Sequence, residues 1–107
     1  MKESEWKKFK RLKEICLERY CHSVLGEAMN ACQQDGKTEH ERYIDLYQLI
    51  KKRDKELGKA FDGLSRNLAH IQLMTMYRME LVKDEELDEF GPETKDNIRE
   101  TLRVLNS

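Results

Sequence analysis

The sequence predicts an all-α protein, built as a long antiparallel helical hairpin plus a short C-terminal helix and assembling as a helical bundle. The 107 residues contain a single proline, Pro92, whereas a loop-rich or sandwich fold needs many turn residues. Charged and apolar residues each make up 38% of the chain, a balance typical of long solvent-exposed helices. Apolar residues recur at steps of three and four, which is the spacing of one helical face. We expect one domain over residues 1–107.

The first helix is predicted over about residues 4–34. Ser4 is a candidate N-cap. Asp35-Gly36 supplies the end, because glycine tolerates the left-handed conformation that closes a helix. The predicted apolar face consists of Trp6, Phe9, Leu12, Cys16, Tyr20, Val24, Ala28 and Ala31.

The second helix is predicted over about residues 39–82, after a capping box formed by Thr38 and Glu41. Its apolar residues keep a seven-residue repeat as far as Ile71, the pattern of helices packed at a shallow angle. Gly58 and Gly63 each cost about 1 kcal/mol relative to alanine, so a bend is expected at 58–63. The alternative is a sharp break there, which would fold the second half back into a compact four-helix monomer.

A third helix is predicted over about residues 92–105, after an acidic connector at residues 83–89. Pro92 suits its first turn, where the missing N–H does no harm. Its apolar face is Ile98, Leu102 and Leu105. Residues 71–81 also alternate as a strand would, but Met and Leu favour a helix and no hairpin partner is present.

Folding the first two helices about Gly36-Lys37 pairs residues whose numbers sum to about 73. In this register Leu57 lies opposite Cys16 and Tyr47 lies opposite Gly26. Asp54, the one acid in the apolar stripe, lies opposite Arg19. The register therefore predicts an Arg19–Asp54 pair.

The far end of the second helix has more apolar surface than the chain is expected to cover. A continuous helix over 39–82 would be about 65 Å long, and the first helix reaches only to about Leu68. Large exposed apolar patches usually mark interfaces. We therefore predict a homodimer joined through Ile71, Met74, Met76, Tyr77, Met79, Leu81 and Val82.

Metal and catalytic motifs are not recognisable. Cys16, Cys21 and Cys32 lack zinc-ligand spacing and are interpreted as buried or half-buried thiols that act as small hydrophobic groups. We expect no cofactor and no catalytic residue. The opening MKESEWKKFK has no apolar signal segment and no stretch is long enough to span a membrane, so we expect a cytoplasmic protein with free thiols.

Two polar features could bind a partner. Asp62, Arg66 and His70 are four residues apart and, with Asn67, form a possible binding patch; the plain alternative is an ion-paired helix flank or a polar dimer rim. Lys7, Lys8, Lys10, Arg11 and Lys13 could follow a phosphate backbone, although we interpret them as a solvated face and expect no nucleic-acid partner.

The favoured function is a non-catalytic protein-binding or adaptor module that homodimerises. One alternative is a nucleic-acid-associated factor that uses the basic N-terminal helix. The other is a ligand-binding bundle or enzyme with a pocket at Arg66, Asn67, His70 and Tyr77.

Overall fold

The computed structural model describes residues 1–105, which contain five helices and no strand. The helices are α1 (Glu3–Cys32), α2 (Glu39–Phe61), α3 (Arg66–Arg78), α4 (Asp84–Leu87) and α5 (Pro92–Leu105). The predicted all-α fold is confirmed. The last two residues of the predicted 1–107 domain, and the side chain of Leu105, lie outside the described part.

Helices α1 and α2 form the predicted antiparallel hairpin. Gly36 adopts a left-handed φ of 78° in the connecting turn. The capping box is confirmed, since Glu41 N donates to Thr38 Oγ1 at 3.1 Å and Thr38 N donates to Glu41 Oε1 at 2.9 Å. Helix α1 begins one residue before Ser4, with Lys2 as its N-cap, and ends two residues before the predicted boundary.

The predicted continuous helix over residues 39–82 is wrong, because the chain breaks at Gly63. Helix α2 ends at Phe61, and Gly63 has a left-handed φ of 78°. Ser65 Oγ then accepts from Leu68 N at 3.3 Å and starts α3. Of the two arrangements that the sequence leaves open, the break is the one found, while Gly58 stays within α2.

The break is stabilised by polar contacts to its free backbone. The Gln72 amide, buried in the core, donates to the Asp62 carbonyl at 2.8 Å and to the Gly63 carbonyl at 3.3 Å. Lys13 Nζ donates to the same Gly63 carbonyl from α1. The last carbonyls of a helix lack partners within the helix, and these side-chain bonds supply partners for two carbonyls at the break.

A second reversal follows α3. Glu80 takes a left-handed φ of 63°, and Leu81 N donates to the Met76 carbonyl at 3.0 Å. The acidic connector predicted at 83–89 contains the short helix α4. Helix α5 then returns to pack against α3.

The molecule has two parts, which we call the body and the arm. The body comprises residues 1–20 and 58–105 and holds every residue that is buried in residues 1–104, with Phe9, Leu73, Met76 and Leu87 fully covered. The arm comprises residues 21–57, that is the end of α1, the turn and most of α2. No residue of the arm is buried; the best covered are half-buried. The principal extents are 52 × 30 × 22 Å.

The predicted register is wrong for two pairs, Arg19 with Asp54 and Gly26 with Tyr47. The Arg19 guanidinium binds the Glu86 carboxylate and not Asp54, which is exposed. A Cβ built on Gly26 would meet nothing within 4 Å, so Tyr47 does not pack over it. The prediction lacked α4, whose Glu86 reaches Arg19 only because the chain reverses twice after Phe61.

The predicted dimer surface also needs correction. Met76, Leu81 and Val82 are buried in the core of the single chain, and Met74, Tyr77 and Met79 are half-buried. Only Ile71 is exposed, at 58%. Folding back at Gly63 lets the body cover this segment itself, which the assumption of a continuous helix excluded.

Candidate functional site: the apolar face of the arm

The arm carries most of the exposed large hydrophobic residues. Six of the eleven that are exposed in residues 1–104 lie on it, and we call these six the arm face. They are Leu25, Met29, Tyr43, Ile44, Tyr47 and Ile50. Exposed apolar surface that is concentrated in one part of a protein often marks an interface, so the arm face is the candidate functional site.

Helix α2 supplies four of the six residues. Tyr43, Tyr47 and Ile50 follow one another at steps of four and three, which places them on one side of the helix. Tyr43 is 68% exposed and Tyr47 is 59% exposed. Tyrosine exposes a large apolar ring with a polar tip, and this is why it is enriched at protein interfaces.

A groove runs beside this row, between α1 and α2. It has a volume of about 320 Å³. Its lining residues are Tyr20, Cys21, Val24, Leu25, Ile50, Arg53, Asp54 and Leu57. The groove is open to solvent and mostly apolar, so it can accept an apolar or aromatic side chain from a partner.

Tyr20 joins the two helices at the base of the arm. Its hydroxyl lies 2.7 Å from the Arg53 carbonyl oxygen and 3.2 Å from Glu56 Oε2. Burial, and then the neighbouring Glu56 carboxylate, raise the pKa of Tyr20 to about 12. Tyr20 therefore remains a neutral hydrogen-bonding group across the physiological range.

Arg53 holds the same two helices together by charge. Its guanidinium bonds Glu27 Oε2 on α1 at 3.0 Å and Glu56 Oε2 on α2 at 2.8 Å. The bond from Arg53 lowers the pKa of Glu56. With Tyr20, this bridge fixes the spacing of α1 and α2, so that the arm face is presented on a braced pair of helices.

The predicted polar patch is kept only in part: Arg66, Asn67 and His70 lie within about one turn of α3, and Asp62 lies outside that helix. Asp62 is the C-cap of α2, whereas Arg66 opens α3, so the break at Gly63 separates them. Arg66 forms an ion pair with Glu3 and lies over the Trp6 ring at 5.7 Å. Asn67 is exposed.

His70 and Tyr77 of the predicted pocket both lie on α3 but have different surroundings. His70 lines a cavity of about 400 Å³ near Glu5 and Thr94, and its buried Nε2 has no hydrogen-bond partner within residues 1–105. Tyr77 OH donates to Asp84 Oδ1 at 2.9 Å and lines a different cavity. His70 and Tyr77 therefore line different cavities, and a single site at Arg66, Asn67, His70 and Tyr77 stays a prediction.

Glu5 has a role that the sequence analysis missed. Gly91 N donates to Glu5 Oε1 at 2.9 Å, and Thr94 Oγ1 donates to Glu5 Oε2 at 3.1 Å. A carboxylate at a helix N-terminus is favourable, because free N–H groups and the helix dipole both attract it. Glu5 on α1 thus anchors the start of α5.

Arg19 and Glu86 form a second long-range contact that was missed. The guanidinium bonds both carboxylate oxygens, at 2.7 and 2.9 Å, and also donates to the Leu81 carbonyl at 2.8 Å. The bond from Arg19 lowers the pKa of Glu86. This bidentate ion pair fixes α4 against α1.

The cysteines occupy three different environments. Cys16 is buried, and its Sγ lies 3.3 Å from the Leu81 carbonyl oxygen; burial raises its pKa to about 11. Cys21 is half-buried in the groove of the arm, and Cys32 is exposed, contrary to the interpretation of all three as covered thiols. No group of three or more potential metal ligands occurs within residues 1–105.

Two lysines of the basic run at residues 7–13 of α1 bind backbone carbonyls of the body. Lys8 Nζ donates to the Glu89 carbonyl at 2.8 Å, and Lys13 donates to the carbonyl of Gly63. Lys10 lies over the Trp6 ring at 5.6 Å. Trp6 stacks on the fully buried Phe9, so the aromatic residues of this run are not available to stack on bases.

Comparison with protein-family models, curated proteins and solved structures finds no match. Among residues 1–105, no helix combines the length and apolarity needed to cross a membrane.

Proposed function

We propose that this protein is a non-catalytic protein-binding or adaptor module that acts through its arm face. One observation carries the proposal: the arm exposes six large hydrophobic residues and buries none of its own. Keeping that apolar surface in water has a cost of roughly 25 cal/mol for each Å². A partner that covers the arm face removes this cost, and binding is the use that best fits the surface.

The chemistry of the arm face supports protein binding over binding of a small metabolite. Tyr43 and Tyr47 are the most exposed aromatic residues on it. Aromatic side chains dominate the energetics of protein interfaces because they bury a large area with few rotatable bonds. Arg53, the one cation in the groove, is already engaged by two carboxylates.

The homodimer predicted from the sequence remains part of this proposal, but its surface changes. Met76, Leu81 and Val82 are buried in the core of the single chain, so the arm face replaces them as the proposed dimer surface. We keep the expected cytoplasmic location as well. Its support is the three free cysteines, which suit a reducing compartment.

Site-specific photo-crosslinking tests the proposal. A photoreactive phenylalanine analogue is placed at position 47 or, as the control, at position 71, in cells that express the protein. Tyr47 and Ile71 are 59% and 58% exposed, on the arm and the body respectively. We expect a protein adduct from position 47 and little from position 71. Absence of an adduct at 47, or equal yields at both positions, contradicts the proposal.

A further inference from the structure

We infer that the arm face is covered by the arm face of a second copy of this chain, packed antiparallel about a two-fold axis at Tyr47. This inference rests on the proposed function and names its partner. A two-fold interface uses the same patch on both copies, so the patch must be complementary to itself. The residues of α2 on either side of Tyr47 meet this requirement.

One row of exposed residues on α2 is arranged symmetrically around Tyr47. His40 and Asp54 lie seven residues before and after it, which is two helical turns in each direction. Tyr43 and Ile44 precede it by four and three residues, and Ile50 and Lys51 follow it by three and four. Tyr43 and Ile50 are seven residues apart and lie on one side of the row, and Ile44 and Lys51 lie on the other. An antiparallel partner centred on Tyr47 therefore brings Tyr43 beside Ile50 and Ile44 beside Lys51.

The charged ends of this row are complementary. In the antiparallel arrangement His40 of one copy lies opposite Asp54 of the other, and the two-fold axis repeats the contact. Both residues are exposed in the single chain. An imidazole N–H can donate to the carboxylate whether or not the ring is charged. A parallel pairing would instead place each acid against its own copy, which is unfavourable.

The apolar positions also match. Tyr43 of the second copy arrives beside Ile50, at the edge of the groove between α1 and α2. The groove volume of about 320 Å³ gives its ring a place to insert. Ile44 arrives beside the aliphatic stem of Lys51, which can cover apolar surface while its ammonium group stays in water.

Dimerisation through the arms also buries apolar side chains that a single arm leaves exposed. One arm is two helices thick and buries no residue. Two arms together make four helices, with the apolar side chains of α2 enclosed between them. Four-helix packing is a stable solution for helices that each carry an apolar stripe.

Sedimentation equilibrium of the full chain tests this inference. We expect the wild-type chain to be a dimer, and Tyr47→Glu to weaken dimerisation at least 30-fold, because a central tyrosine is a typical hot spot. Ile71→Glu is the matched control and should leave the dimer unchanged. Circular dichroism verifies that both variants keep their helical content.

A charge exchange tests the register. His40→Asp brings two acids together at both ends of the row and should weaken the dimer about tenfold. Combining it with Asp54→His restores the pairing in reverse and should recover most of the affinity. An additive loss in the double variant would overturn the antiparallel register.

The failure of this inference can be told apart from the failure of the proposed function. A monomeric wild-type chain at 100 µM (roughly the Kd of a very weak interface) would overturn the inference. If position 47 still crosslinks to another protein, the interaction function stands and the arm serves a different partner. Dimers lost with Ile71→Glu and kept with Tyr47→Glu would move the interface to the body.

Discussion

At the scale of single residues, the three cysteines differ in the reactivity that their surroundings allow. Only a thiolate reacts readily, and burial raises the pKa of Cys16 to about 11. In the folded protein we expect a soluble alkylating reagent to modify Cys32 first and Cys21 more slowly, leaving Cys16 unmodified until the chain unfolds. Mass spectrometry of timed samples measures the order. Modification of Cys16 at the rate of Cys32 would contradict the buried position.

The Arg19–Glu86 pair makes stability depend on pH in a defined direction. The folded state holds the pKa of Glu86 below its unfolded value. The stabilisation is therefore fully present above the unfolded pKa, near 4.3, and is lost as pH falls through the lower folded value. Glu86→Gln should cost about 2 kcal/mol at pH 7 and flatten the decline in stability below about pH 4.5.

Urea unfolding between pH 3 and pH 7 measures this effect. Glu85→Gln is the matched control, because Glu85 is the exposed neighbour of Glu86 on the same short helix. In Glu85→Gln, both the free energy of unfolding at pH 7 and its decline towards pH 3 should stay close to those of the wild type. Equal losses in the two variants would mean that Glu86 contributes no more than its exposed neighbour.

Contacts at this scale were predictable only when they were local. Thr38 and Glu41 are three residues apart, so their capping box follows from the helix geometry alone. Arg19 and Glu86 are 67 residues apart, and Glu5 and Gly91 are 86 apart. Such pairs depend on how whole helices pack, and their residue types are too common to single out in a sequence.

At the scale of helices, the break between α2 and α3 decides the architecture. Gly63 has a φ of +78°, which alanine adopts at a cost of about 1–2 kcal/mol. Gly63→Ala should therefore destabilise the protein by at least 1 kcal/mol. Gly26→Ala should stabilise it by about 0.5–1 kcal/mol, since Gly26 is helical and a Cβ there meets nothing within 4 Å.

Thermal unfolding of the two glycine variants gives the comparison directly. The same chemical change should shift the midpoint down at residue 63 and up at residue 26. Stabilisation by Gly63→Ala would indicate that this position is helical in solution, and the continuous helix over 39–82 would then have to be reconsidered.

The seven-residue repeat was a good guide to helices and a poor guide to where they end. Leu57, Phe61, Leu64 and Leu68 keep the spacing across the break, so the apolar pattern continues where the helix does not. Other residues indicate the end of the helix. Gly63 can adopt a left-handed conformation, and Ser65 is the N-cap of the next helix. Periodicity reports which face is apolar and carries no information about chain reversal.

At the scale of the whole molecule, the body has a buried core and the arm has none. The all-α fold is predictable from the sequence, whereas the apolar surface expected to be uncovered, residues 71–82, is mostly covered. The body covers most of that segment by folding back, and six of the eleven exposed large hydrophobic residues in residues 1–104 lie on the arm instead. Composition determines how much apolar surface exists, whereas long-range packing determines which part stays exposed.

The most direct test of paired arms is a distance between the two copies. With Cys21 and Cys32 changed to serine, a spin label is attached at Gln48→Cys or at Lys55→Cys; both positions are exposed on α2. In an antiparallel pair centred on Tyr47, equivalent residues are offset along the helix axis by about 3 Å at position 48 and about 24 Å at position 55.

Electron paramagnetic resonance on each labelled chain measures these separations. We predict strong short-range coupling between copies at position 48, and a separation at position 55 that is longer by roughly 15 Å once the sideways spacing of the helices is included. Equal separations at the two positions, or no coupling between copies at either, would contradict the antiparallel pairing of the arms.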